Sequence, residues 1–185
     1  MGFVPRVDVD NAEGYLGAHL RFKKYSKWLR EFFPHFQIEN FTKRNGGGLE
    51  SRYMDWHVPV NLQNSTFIEL GINPNVEVID ERFSINARRR IYVNPGRYEF
   101  KEYFGLMNTN TAAPFSMNLR FGTGDFYDGY RRSYLVGGTV RLNQHLNVAL
   151  NDQINDIELG SGSYLTHLLT TRFNVYFTTR MFVNG

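Results

Sequence analysis

The stretch that decides the fold is LRFGTGDFYDGYRRSYLVGGTVRLNQHLNVAL, residues 119–150. Apolar and polar residues alternate along it on both sides of two turn-like segments, residues 125–129 and 143–145. Alternation with a period of two places apolar side chains on one face of a strand, and Gly, Asp and Asn mark the turns between strands. The stretch therefore predicts consecutive antiparallel strands with one apolar and one polar face.

The same alternation recurs along most of the chain. It is clearest around Trp56, where Met54 and Val58 share its phase while Asp55 and His57 share the opposite one. Roughly ten segments of this kind are predicted, at residues 16–22, 28–42, 54–62, 68–72, 98–106, 115–121, 130–142, 146–150, 169–177 and from 181 onward. The fold class predicted is all-β, an antiparallel up-and-down meander in a single domain over residues 1–185.

The segments between these strands are polar or rich in glycine and proline. Residues 1–13 are predicted to be a loop or linker, residues 73–94 a large loop and residues 152–163 a polar loop. Tight connections, near Lys24, Gln63, Asn110, Asn143 and Thr178, alternate with longer or more charged ones near Asn45, Arg88, Asp125 and Gly160. This alternation is typical of an outer-membrane β-barrel, which has short periplasmic turns and larger outer loops.

The composition narrows the function classes. The net charge is only +3, and residues 88–90 form the only dense cationic run, which argues against a nucleic-acid partner. Absence of cysteine excludes disulfides and thiolate chemistry. No run approaches the roughly 18 apolar residues of a membrane helix. The first residues lack the pattern of an export signal, so an outer-membrane assignment implies that the chain is part of a longer protein.

Soluble β-proteins are the main alternative to a membrane barrel. Alternating strands with polar loops also build β-sandwiches and lipocalin-like barrels. The membrane assignment is favoured by aromatic residues near the predicted strand ends, which resemble interfacial girdles. These are Trp28, Trp56, Tyr98, Tyr130, Tyr134, Tyr164 and Tyr176.

Four motifs resemble those of a family of Gram-negative proteins of unknown function. They are residues 122–129 (GTGDFYDG), 95–98 (PGRY), 28–30 (WLR) and the loop from Asn155 to Tyr164. The resemblance covers most of the chain from about Gly14 onward and implies an outer-membrane β-barrel, whose longer forms carry an N-terminal carbohydrate-binding-like sandwich. That domain is absent here, the family continues through further strands, and Asn94 stands where a second proline is expected.

Acidic and aromatic residues in two predicted loops form the candidate ligand site. The up-and-down order of the predicted strands places both loops at the same end of the sheet. Carboxylates there favour calcium or, beside tyrosines, a sugar. The residues are Asp125, Tyr127, Asp128, Asp152, Asp156, Glu158 and Tyr164. Their spacing matches no calcium-loop template, and aspartates that cap turns in solvated loops explain the same pattern better.

Other chemistry has less support. Asp55 and His57 share one strand face and fit a base with its orienting carboxylate, but a polar pair that lines a barrel interior is the better explanation. The five histidines lack metal-like spacing, so neither a metal site nor a cofactor is predicted. The arginines at 88–90, with Arg82 and Arg97, fit lipopolysaccharide phosphates, but a solvated loop explains them better.

The patterns favour a segment of an outer-membrane β-barrel with a binding or translocation role. The resemblance implies that the organism is a Gram-negative bacterium and links this role to extracellular glycans. The expected partners are outer-membrane lipid and a glycan, and no nucleic acid; the sequence leaves the oligomeric state open. The alternatives are a soluble carbohydrate-binding β-module and a membrane-associated hydrolase, for which no nucleophile, base and orienting group can be assembled.

Overall fold

The computed structural model describes residues 8–143, 145–178 and 181–185, and nearly all of them lie in β-strands. Its thirteen strands are β1 Val9–Gly17, β2 Leu29–Phe32, β3 His35–Lys43, β4 Gly48–Leu62, β5 Phe67–Ile79, β6 Phe83–Asn86, β7 Ile91–Val93, β8 Gly96–Asn108, β9 Phe115–Phe126, β10 Gly129–Asn143, β11 Leu146–Leu159, β12 Gly162–Thr178 and β13 Met181–Asn184. A 3₁₀ turn, Lys23–Tyr25, lies between β1 and β2. Within the described residues, no helix has the length and apolar character needed to cross a bilayer.

Ten strands form one antiparallel path in the order β1-β3-β4-β5-β8-β9-β10-β11-β12-β13, and β2 pairs with β4 outside this path. Strands β6 and β7 form a separate hairpin between β5 and β8. The predicted all-β antiparallel meander is thereby confirmed. The sheet is open, since β1 and β13 form its two edges.

The N-terminal part differs from the prediction. Residues 9–13, expected to be loop, lie in β1, which pairs with β3 from Val9 to Gly17. The strand expected over residues 16–22 ends at Gly17, and only Leu20 makes an isolated bridge, to Phe32. The segment predicted at 28–42 is two strands, because Pro34, which has no N–H to donate, separates β2 from β3.

Residues 73–94, predicted to be a large loop with a ragged strand extension, contain more strand than expected. Strand β5 continues through Pro74 to Ile79, and its pairing with β4 passes from Tyr53↔Asn75 to Trp56↔Ile72 without using Pro74. The pairing with β4 skips Pro74 because proline has no N–H to donate to a neighbouring strand. The rest of the predicted loop contains the β6–β7 hairpin.

Two predicted long loops are tight turns. Strands β9 and β10 pair up to Phe126↔Gly129, and β11 and β12 up to Leu159↔Gly162, so only residues 127–128 and 160–161 connect them. Residues 152–159 are therefore strand, not loop. The connection at residues 109–114, expected to be tight, is longer than either turn, so tight and long connections do not alternate as predicted.

The sheet has two faces of opposite character. The apolar face carries many exposed large side chains, including Leu16, Trp56, Val58, Leu70, Ile72, Phe115, Phe121, Tyr134, Val136, Val140, Leu150, Leu169 and Phe173. Strand pairing aligns them in rows, such as Phe115–Val140–Val148–Phe173. Side chains one residue along each strand point to the polar face.

The buried core lies at one end of the polar face. Ile91 and Val93 of the β6–β7 hairpin are almost fully buried against Ile157 and Leu159 of β11. Tyr98, Phe126, Tyr127, Tyr164, Ile79 and Ile85 pack around this cluster. Because the hairpin leaves the sheet between β5 and β8 but contacts β11, the sheet must curve around it.

Candidate functional site

Polar side chains from three neighbouring strands meet on the polar face. His35 of β3 lies opposite His57 of β4. Gly71 of β5 is the partner of His57 on its other side, and Glu69 lies two residues before Gly71 on the same face. Each of the three side chains offers a metal-ligand atom, and these atoms all lie within 4.8 Å of one another. We call these three residues the histidine cluster.

Hydrogen bonds fix the central imidazole of the histidine cluster. His57 Nδ1 is 2.9 Å from Glu69 Oε1, and His57 Nε2 is 2.8 Å from Asn73 Oδ1. The side chains of His57 and Glu69 are each only 15% exposed. Asp55, which the sequence pairs with His57, lies farther away, with its Oδ1 3.9 Å from His57 Nε2.

Aromatic rings form the walls of the histidine cluster. The His57 ring packs edge-on against Phe104, and the His35 ring stacks on Phe33. Glycine at position 71 is what leaves room for this arrangement. A Cβ there would lie 2.3 Å from the Phe104 ring and 2.6 Å from His57 Cδ2.

A second polar region lies farther along the same face. Arg131 Nη2 of β10 is 2.7 Å from Glu102 Oε1 of β8, an ion pair that is partly shielded from water. These two residues line a groove of about 320 Å³ together with Arg120, Gln153 and Asn155. Charged, amide and guanidinium groups thus converge on the polar face, as expected of a surface that contacts water or a polar ligand.

Tyr127, in the turn between β9 and β10, is built into the core end. Its backbone φ of 51° lies in the left-handed region, which is unusual for a bulky residue. The ring packs among Phe83, Tyr98 and Phe100, and the hydroxyl donates to Glu77 Oε2 at 2.9 Å. Burial, and then the negative charge of Glu77, raise the pKa of the Tyr127 hydroxyl.

Hydrogen bonds join the β6–β7 hairpin to the turn between β11 and β12. The hydroxyl of Ser161, in the β11–β12 turn, accepts from the backbone N–H of Tyr92 at 3.0 Å and donates to its carbonyl at 2.9 Å. Arg89 also donates to the carbonyl of Ser163. The three arginines at 88–90 therefore lie in a turn whose position is fixed by the sheet.

The seven ligand-site residues predicted from sequence divide between the two faces. Asp125, Asp152, Asp156 and Glu158 lie in the phase of the apolar face, as their cross-strand partners show. The two tyrosines, Tyr127 and Tyr164, instead pack against the core on the polar face. Asp128 lies in the β9–β10 turn, close to the turn at Gly160.

Some of these carboxylates already have a histidine or arginine as a neighbour. Asp152 Oδ1 is 2.5 Å from His167 Nε2, and Arg132 Nη1 lies 3.3 Å from Asp156 and 3.7 Å from Glu158. The predicted acids and tyrosines are therefore not brought together into one pocket. Asp152, Asp156 and Glu158 form cross-strand pairs instead.

Sequence reasoning missed His35 and Glu69. A signal was present, because aligning the strands across the predicted turn at residues 63–65 brings His57 next to Gly71 and Glu69. His35 follows from the next pairing, His35↔His57. Spacing along the chain does not reveal the cluster, because its members come from three strands.

No protein-family model matches this chain, and neither does any curated protein or solved structure.

Proposed function

We propose that this chain forms part of the wall of an outer-membrane β-barrel in a Gram-negative bacterium, with a binding or translocation role at its polar face. One observation carries the proposal: large apolar side chains are exposed over much of one face of the sheet, with a few charged or polar pairs among them, while charged and amide groups line the other face. Leu70, Val136 and Leu150, for example, are 60%, 55% and 49% exposed.

Lipid is the medium that best explains the apolar face. Monomeric soluble proteins rarely expose a continuous apolar surface of this kind. A soluble sandwich would bury it against a second sheet, whereas the described strands build one meander and a small hairpin on the opposite face. A barrel wall requires the reverse of a soluble core, with apolar residues outward and polar residues inward.

The polar face supplies the binding role. The groove beside Glu102 and Arg131 presents a carboxylate, guanidinium groups and the side-chain amides of Gln153 and Asn155. These groups can hydrogen-bond to hydroxyl-rich ligands, which fits the glycan link implied by the resemblance. Barrel closure would require the edge strands β1 and β13 to pair further.

Cysteine labelling tests this orientation directly, since the chain has no cysteine of its own. Single variants Leu70→Cys and Val136→Cys report on the apolar face, and Ser133→Cys and Gln153→Cys on the polar face. After insertion of the chain into lipid vesicles, a membrane-impermeant maleimide should label the polar-face pair quickly and the apolar-face pair slowly.

The same four variants unfolded in urea provide the control for intrinsic thiol reactivity. Equal labelling of all four folded variants, or a chain that stays in the aqueous phase without detergent, would reject the membrane wall. That second result would favour a soluble glycan-binding module.

A further inference from the structure

We propose that His35, His57 and Glu69 bind a Zn²⁺-type divalent transition-metal ion on the polar face. The three residues come from adjacent strands of one sheet, so the backbone ladder holds them together. Their ligand atoms lie within 4.8 Å of one another. The histidine cluster lies on the polar face. A test of metal binding therefore does not depend on whether lipid covers the apolar face.

Both ring nitrogens of His57 face side-chain oxygen atoms. Nδ1 faces a carboxylate oxygen of Glu69 at 2.9 Å, and Nε2 faces the amide oxygen of Asn73 at 2.8 Å. A neutral imidazole carries only one N–H, so one of these nitrogens would direct a lone pair at an acceptor. A metal ion between Nδ1 and Glu69 removes this conflict and leaves Nε2–H to donate to Asn73.

His35 is oriented in a similar way. Its Nδ1 lies 3.4 Å from the backbone carbonyl of Phe33, a position that suits an N–H donor. Donation from Nδ1 leaves the lone pair on Nε2 for a metal. Ligating histidines usually donate their other ring N–H to a carbonyl or carboxylate, and both histidines here have such an acceptor.

The ligand set favours zinc over the common hard cations. Two imidazole nitrogens with one carboxylate suit Zn²⁺ and neighbouring transition metals, whereas Mg²⁺ and Ca²⁺ prefer oxygen ligands. With metal–ligand distances of about 2.0–2.2 Å, tetrahedral geometry separates ligand atoms by about 3.3 Å. Small side-chain rotations suffice, and a fourth position stays open to water or an anionic ligand.

Calorimetry with ZnCl₂ on the full chain in detergent is the first test. We expect one Zn²⁺ per chain and no comparable binding of Mg²⁺ or Ca²⁺. His35→Ala, His57→Ala and Glu69→Gln should each abolish this binding. Asn73→Ala, which removes only the acceptor for His57 Nε2, should weaken it by about 10–100-fold.

His167→Ala is the matched control, because His167 also pairs with a carboxylate, Asp152, but lies on the other face. It should bind zinc like the parent chain. Zinc binding that survives in both the His35→Ala and His57→Ala chains, or no binding by the parent chain, would overturn the proposal.

Histidine modification avoids reliance on variants that fail to fold. Diethylpyrocarbonate acylates accessible imidazole nitrogens, and mass spectrometry locates each adduct. In the unaltered chain, Zn²⁺ should protect His35 and His57 and leave His145 and His167 as reactive as before. If Zn²⁺ leaves the modification of His35 and His57 unchanged, the site is contradicted.

Discussion

The two faces of the sheet are stabilised in different ways. On the polar face, side chains contact one another across strands, as in the His57–Glu69 and Arg131–Glu102 pairs, and a hairpin covers one end. On the apolar face, Leu70, Val136 and Leu150 are large and yet largely exposed. Within the described residues, the polar face is thus partly covered by the chain itself, whereas many large side chains of the apolar face stay exposed.

This difference shows where the protein obtains its stability. The buried apolar cluster is small and is centred on Ile91, Val93, Ile157 and Leu159. A sheet of this width with so small a core needs another source of apolar contact, since burial is the dominant favourable term in folding. The proposed lipid environment supplies that contact, and the following changes test the contrast between the faces.

The largest effect is expected from a charge placed on the apolar face. Leu150→Arg should destabilise the folded chain in lipid by about 2–4 kcal/mol, the cost of an arginine in the middle of a bilayer. Thr170→Arg is the matched control, because Thr170 lies on the neighbouring strand, almost level with Leu150 but on the polar face. Urea unfolding in vesicles measures both, and equal losses would refute the contrast.

The next effect concerns two glycines of β10. A Cβ at Gly129 would lie 1.9 Å from the backbone carbonyl oxygen of Glu158, whereas at Gly138 the nearest atom is 3.6 Å away. Gly129→Ala must therefore move the backbone and should cost about 1–3 kcal/mol. Gly138→Ala should cost much less. Comparable unfolding free energies for the two variants would show that strands β10 and β11 are farther apart than described.

The smallest effect concerns the core end of the polar face. Tyr127→Phe removes the hydrogen bond to Glu77 and should cost about 1 kcal/mol. Tyr134→Phe, on the apolar face, is the control and should cost less. Equal losses in the two variants would show that the bond to Glu77 contributes nothing to stability.

Stability should also depend on alkaline pH through Tyr127. The folded state raises the pKa of its hydroxyl above the ordinary value of 10, so the unfolded chain loses this proton first as the pH rises. The contribution of the Tyr127 hydroxyl to the free energy of unfolding is present in full below pH 10 and is lost as the pH rises through the pKa of the folded state. Urea unfolding from pH 8 to 11 should show a smaller loss in Tyr127→Phe than in the parent chain.

The alternation of apolar and polar residues was enough to predict the antiparallel meander and most of its strands. It underestimated strand lengths wherever polar residues continue a strand, as at residues 152–159, which are strand although their composition is typical of a loop. Cross-strand hydrogen bonds extend β11 there, and composition does not register them. Likewise, Pro74 suggested a loop, but a skip in the ladder accommodates it.

The candidate site was harder to predict than the fold. The acids at 125, 152, 156 and 158 were grouped because two loops were expected at one end. These residues lie in strands instead, so their side chains point to the apolar face, whereas Tyr127 and Tyr164 pack on the polar face. The histidine cluster depends on the register of three strands, and a shift of one residue would move its members to the other face.

Tryptophan quenching by lipid tests the central claim most directly. Trp56 lies on the apolar face and is 56% exposed, and Trp28→Phe leaves it as the sole tryptophan. In vesicles containing phospholipids brominated along their acyl chains, the fluorescence of Trp56 should fall strongly, while a water-soluble quencher has little effect. Strong quenching by the aqueous quencher and none by the brominated lipid would contradict an apolar face in contact with the bilayer.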